Sequence, residues 1–311
     1  MADKPSRGLV LYGDGLARFV NPSHIHLHSL AAQSLCGFLS LPHFPPSENV
    51  DGRTIGEFLN LVDAYEDYST LSVESQDKCI TPPISERFMG VRAALITENT
   101  TLKSCGDKLG LSVLQSDELI SKSCSLFDSS VNLVAMELLK LLGFEDEKVL
   151  DTNKFDLIFV HVGGGHEEQS NKKYTEYINS LIGEIISKAK PKSEIGSRLH
   201  LSVVLSYGDT EKDDDECNFT ILNKNGSMKS DLASLIPRQS YTMKGSNPRT
   251  NVREYCPMLM AQWQEGVTRK DLVKTFSFQD FKENGGNLTI PADRFVHEVA
   301  FKLWKAPKYG A

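Results

Sequence analysis

The chain has no C-x-x-C spacing, no apolar run of membrane-spanning length and no basic stripe, and each absence closes a class of function. Its six cysteines (Cys36, Cys79, Cys105, Cys124, Cys217 and Cys256) are scattered, so neither a cysteine zinc site nor a disulfide framework is expected of them. Crossing a bilayer takes about 20 consecutive apolar residues, so no membrane partner is expected. The formal net charge is -7, whereas phosphate backbones are held by clustered Lys and Arg, so no nucleic-acid partner is expected either. Met1 to Arg7 lacks the apolar core of a secretory leader, and a reduced, cytoplasmic setting is the expectation. In that setting the N-x-Ser/Thr sequons at Asn99, Asn218, Asn225 and Asn287 read as chance matches. There is no G-x-S-x-G elbow to support Ser-His-Asp chemistry. No internal repeat or low-complexity segment is evident.

What is present is a set of short apolar runs that end on glycine and a polar residue. Leu9 to Gly15, Phe155 to Val162 and Leu201 to Asp209 have this form. Such runs read as strands buried on both faces of a parallel sheet. Val91 to Thr97, Leu111 to Leu114, Asn218 to Leu222 and Cys256 to Ala261 read as further strands. Helical patterns fall at Ser29 to Leu41, Thr54 to Tyr65, Asn99 to Leu109, Ser129 to Leu142 and Asn171 to Lys190, with two more near Phe278 to Glu283 and Pro291 to Trp304. Asp51 or Thr54 suits the cap of the second. Residues 66–87 read as a linker or surface excursion. With 40% hydrophobic residues in 311, the alternation predicts a single α/β domain: a doubly wound, mostly parallel sheet with helices on both faces. Ligands of such sheets bind beyond the carboxyl ends of the strands, where Asp14, His166 and Asp209 would converge.

Several motifs, in order, resemble the alkaline phosphatase superfamily and its cofactor-independent phosphoglycerate mutase branch. They are Gly13-Asp14-Gly15, Met89 to Thr97 with Lys108 to Val113, Phe155 to Val162 with Gly165-His166, and Gly208-Asp209. Pro257 to Met260, Gly285-Gly286 and Lys308 to Ala311 continue the likeness. The mutases' inserted second domain has no counterpart. The resemblance implies an alkaline phosphatase-like core in which two divalent metals (Mn, Zn or Mg) hold a Ser or Thr nucleophile and the phosphoryl oxygens. It places Asp14, Asp209 and His166 as the surviving metal ligands. Thr54 is the candidate nucleophile, although the most direct superposition puts Arg53 there.

The departures are as telling as the matches. Gly163-Gly164-Gly165 stands where an aspartate should precede His166, Thr210 replaces the histidine of Gly-Asp-His, and Arg249, Arg253 and Glu254 occupy the place of a late histidine. A metal needs several carboxylate or imidazole ligands. The expectation is therefore a degenerate, non-catalytic binding or scaffolding protein with a protein partner or a small phosphorylated ligand. The alternative is a metal-dependent phosphoesterase or phosphomutase with an altered single-metal site on Asp14, Thr54, Asp209 and His166. A third reading is a subunit of a larger complex.

Each candidate also has a plainer reading. Asp14 and Asp209 could cap loops, and His166 could be a hydrogen-bonded loop side chain. Thr54 could be a helix cap. Arg53, read as anion-binding, could be solvated, and the basic stretch of Lys244, Arg249 and Arg253 could be an ordinary loop. His24, His26 and His28 alternate with apolar residues; on a strand they would share one face, at a spacing that suits a metal, or line an exposed edge.

Overall fold

The three apolar runs become three neighbouring strands. β1 (Arg7–Asp14) lies between β7 (Leu157–Gly163) and β8 (Leu199–Leu205), parallel to both, with Tyr12 opposite His161 and Val204. All residues of β1 and β8 are buried, because helices cover both faces of the sheet. The computed structural model describes residues 5–41, 50–65, 81–115, 129–145, 148–163, 167–208, 243–244, 247–248, 258–286 and 289–307.

Five more strands complete the main sheet: β2 (Leu35–Ser40), β3 (Ala93–Ile96), β4 (Ser112–Leu114), β11 (Met258–Trp263) and β12 (Thr289–Pro291). The order is β12-β2-β11-β8-β1-β7-β3-β4, parallel throughout except β11, which runs against both neighbours. Two small antiparallel pairs stand apart: β5 (Phe144–Glu145) with β6 (Lys148–Val149), and β9 (Met243–Lys244) with β10 (Asn247–Pro248).

On one face lie α1 (Ile25–Ala31), α5 (Val131–Leu141), α6 (Glu168–Lys188) and α8 (Phe278–Asn284). The other face packs against α2 (Val50–Leu61), α3 (Ile84–Arg87), α4 (Thr100–Lys108) and α9 (Phe295–Lys302). A short α7 (Glu194–Arg198) leads into β8. The termini of these helices carry the expected local chemistry. Asn99 caps α4 by accepting from Leu102 N at 2.8 Å. Just past the carboxyl end of α5, buried Arg7 donates from Nη1 to Leu142 O and Gly143 O, both at 2.7 Å, so a guanidinium satisfies the carbonyls that follow the helix.

The sheet and its double winding are as the sequence predicts, but several segments differ. Ser29 to Leu41 is not one helix: α1 ends at Ala31 and Leu35 to Ser40 is a strand seated between β11 and β12. A short, wholly buried apolar run has no periodicity to separate helix from strand. Pro291 ends β12 instead of opening the last helix, and a single turn at Ala292–Arg294 precedes α9. Of the excursion at 66–87, residues 66–80 lie outside the described residues, while Ile84 is buried in the core and Arg87 Nη1 ties back to Val62 O at 2.9 Å. The expected strand at Asn218 to Leu222 also lies outside them. No helix among the described residues is long and apolar enough to cross a membrane.

Candidate functional site: a guanidinium-centred cluster at the carboxyl edge of the sheet

The carboxyl ends of β1 and β8 are stitched together by Ser206. Its amide donates to Gly13 O at 2.9 Å, its hydroxyl oxygen accepts from Gly15 N at 2.9 Å, and its carbonyl accepts from Ala17 N at 2.9 Å. Two residues on, Gly208 adopts φ +72, and a Cβ there would stand 3.0 Å from Gly15 Cα and 3.7 Å from Arg53 Cζ. Only glycine fits both that backbone and that approach. On the other side, a Cβ on Gly163, at the end of β7, would meet Asp14 O at 2.4 Å. The three strand ends therefore close around Asp14.

Asp14 is fully enclosed, and both its oxygens are engaged. Oδ1 accepts from Arg53 Nη1 at 2.5 Å and Oδ2 from Thr54 Oγ1 at 2.5 Å. The same Arg53 nitrogen donates to Glu57 Oε1 at 3.0 Å, one helical turn along α2. Glu57 Oε2 accepts from the Tyr12 hydroxyl at 2.5 Å. His161, beside Tyr12 on β7, has its Nε2 3.8 Å from Asp14 Oδ2, too far for a hydrogen bond, and its Nδ1 2.8 Å from Thr97 Oγ1. One cation thus bridges two buried carboxylates drawn from β1 and α2.

The electrostatics follow from this arrangement. Burial pushes the Asp14 carboxyl up, but His161, Arg53 and the Thr54 hydroxyl outweigh it and hold Asp14 at about 2. Burial would lower the Arg53 guanidinium, yet Glu57 and Asp14 raise it, so it is a permanent cation. Burial dominates at Glu57, which rises despite Arg53, and at Tyr12, which rises well above a phenol's usual value.

Arg53 and Thr54 do come together with Asp14. The helix begins at Val50, so Thr54 lies in its second turn and is no cap; its hydroxyl serves Asp14. It is completely buried. Arg53 is not solvated: it is buried and already faces two carboxylates. Asp209 and His166 lie outside the described residues. So do Arg249, Arg253 and Glu254.

His24, His26 and His28 do not form a metal face, because Ile25–Ala31 is a helix and alternate residues diverge there. His24 Nδ1 accepts from Asn21 N at 2.9 Å, His28 Nδ1 accepts from Phe276 N at 3.0 Å, and His26 packs on Gly183.

Three members of the cluster were missed from sequence: Tyr12, Glu57 and His161. Signals existed for two of them. Glu57 follows Arg53 by four residues on a helix. His161 is the one ionisable residue within the apolar run Leu157 to Val162.

A divalent ion fits the described residues poorly. It would need Asp14 lone pairs that already face N–H and O–H donors, and it would stand beside a fixed guanidinium. Among the described residues no group of three or more His, Cys, Asp or Glu is arranged to hold a metal. Replacing Thr54 by valine, which keeps the volume and removes one hydrogen bond to a charged acceptor, is expected to cost about 1.5–3 kcal/mol in chemical denaturation. The fold should survive.

No model of a protein family matches the chain, and no curated protein sequence does. Solved structures match over nearly its whole length. The PH0037 protein from Pyrococcus horikoshii shares 13% identity over 99% of both chains, with a TM-score of 0.58. A protein in the alkaline phosphatase superfamily from Vibrio parahaemolyticus shares 9% identity over 96% of this chain and 67% of its own, at 0.53. The lipoteichoic acid synthase LtaP from Listeria monocytogenes shares 12% over 99% and 74%, at 0.53. The chain has an α/β fold like that of these structures, one of them a member of the alkaline phosphatase superfamily.

Proposed function

We propose that this chain is a diverged protein of that fold, with an incomplete two-metal site, that acts by binding or scaffolding and not by phosphoryl transfer. The observation that carries this reading is the Arg53 guanidinium bridging Asp14 and Glu57. It supplies, as a permanent organic cation, the positive charge that a metal would bring to a strand-end aspartate. An ion in that place has open coordination positions for a substrate oxygen; a guanidinium has only N–H donors to offer.

Thr54 is a poor nucleophile in this setting. It is buried, and its proton is donated to a carboxylate held at about 2. General-base catalysis works best when the base titrates near the working pH, far from that value. The alternative, a single-metal phosphoesterase or phosphomutase, requires Arg53 to leave Asp14.

The test is turnover of a phosphomonoester with excess Mn, Zn or Mg. The reading predicts a rate no higher than that of the Asp14→Ala variant. Metal-dependent turnover that Asp14→Ala abolishes would establish the alternative.

A further inference from the structure

The opposite end of the sheet holds an unassigned cavity. It measures about 290 Å³ and its lining includes Leu35, His200, Gln262, Arg269, Glu298 and Lys302. Because β11 is antiparallel, the start of β8 and the end of β11 meet there, a whole strand length from Asp14.

Two observations mark it as a built site. The first is the polarity of its floor. The sheet face under α9 is apolar through Val204, Met258 and Met260, then turns polar at His200, Ser202, Gln262 and Gln264, all buried, of which His200 and Gln262 line the cavity. Gln262 Nε2 donates to Ser202 Oγ at 3.3 Å, and Gln264 Nε2 donates to Ser197 O at 2.7 Å and to Ser6 Oγ at 2.8 Å. Burying polar side chains in a core face is unfavourable unless they are hydrogen-bonded, and His200 Nδ1 has no partner among the described residues.

The second is a fixed arginine. Asp271, itself buried, accepts from Arg269 Nε at 2.9 Å with Oδ1, while its Oδ2 accepts from Cys36 N at 2.9 Å and Gly286 N at 2.7 Å. The Arg269 guanidinium and Asp271 Oδ1 both lie close over Gly286, where a Cβ would stand 2.4 Å from Arg269 Nη2 and 2.6 Å from Asp271 Oδ1. The carboxylate spends itself on one edge of the arginine, and the guanidinium lines the cavity. Across from it, α9 contributes Lys302, with Glu298 one turn earlier.

We propose that this cavity binds a small anion of the carboxylate or phosphate kind, seated between Arg269 and Lys302 over Gln262 and His200. The two ligand types share the chemistry these cations recognise. Glu298 on the same wall favours a ligand that carries few negative charges.

The test uses the full chain with ¹³C-labelled histidine rings and ¹⁵N-labelled amides, the His200 ring being assigned by the signal lost in His200→Gln. Succinate, inorganic phosphate and neutral succinamide are titrated at constant ionic strength. A saturable shift of the His200 ring and of the Thr268 and Arg269 amides is expected with succinate, phosphate or both, and none with succinamide. Whichever anion saturates identifies the ligand type. In the Arg269→Gln/Lys302→Gln double variant the affinity should fall about tenfold or more, the loss of at least one charge-assisted hydrogen bond. Lys302 is only half-buried and the Arg269 side chain is more than half exposed, so the variant should fold. No saturable shift with either anion, an equal response to succinamide, or unchanged affinity in the double variant would overturn the proposal.

Discussion

Replacing Arg53 by alanine is expected to destabilise the protein by about 3–5 kcal/mol, the usual cost of removing one partner from a buried ion pair. The reason is the company it keeps. Asp14 and Glu57 are buried, both face the same guanidinium nitrogen, and without it the two carboxylates lose the cation that lies between them. A loss of this size is a large part of the 5–15 kcal/mol that typically holds a domain together. The neutral triple variant Asp14→Asn/Arg53→Met/Glu57→Gln should cost less than Arg53→Ala alone, since it leaves no unpaired charge. Urea unfolding of the two variants checks this. A triple variant less stable than the single one would mean that packing, not charge, sets the penalty.

Acid should undo the fold in two stages, and the first belongs to His200. Burial, with Lys302 nearby, lowers its imidazole to about 3, against about 6.5 in an unfolded chain. Between those values the unfolded state binds the extra proton, so stability falls as pH drops from about 6.5, by about 4 kcal/mol at pH 3. The second stage comes from Asp14. Its carboxyl is depressed to about 2 by His161, Arg53 and Thr54 against the opposing effect of burial. The stability it contributes is present above its unfolded value and is lost between about pH 4 and pH 2, roughly 2 kcal/mol in all. Glu57 acts in the opposite sense: its raised value favours the folded state on acidification and flattens the slope where it titrates. In His200→Gln the limb between pH 6.5 and 4 should be much shallower and the limb below pH 4 should persist. Denaturation midpoints at stepped pH read this directly. An unchanged upper limb in the variant would show that another group is responsible.

How far the sequence carries depends on whether the determining contact is local. β1, β7 and β8 were legible because burial on both faces leaves an uninterrupted apolar run. The convergence of their ends on Asp14 followed from the parallel order. Arg53 drew attention only through the family likeness. Its binding to Asp14 and Glu57 depends on where α2 sits, which no local pattern encodes. The misreading of His24 to His28 has a comparable cause. Their alternation fits a strand, but α1 is held as a helix from a distance. Asn179 of α6 accepts with Oδ1 from His26 N at 3.0 Å and Leu27 N at 3.2 Å, and so caps its first turn. A cap supplied by a residue 153 positions away leaves no signature at the helix it starts. The same holds for β2, whose strand character comes from β11 and β12 rather than from Leu35 to Ser40 alone.

The most direct measurement of the central claim, that a guanidinium and not a metal ion balances the charge of Asp14, is the metal content of the purified chain after equilibrium dialysis against Mn and Zn. The account predicts well under one equivalent bound, with no difference between the wild-type chain and Asp14→Ala. One full equivalent of either metal, lost in Asp14→Ala and retained in Arg53→Ala, would contradict it.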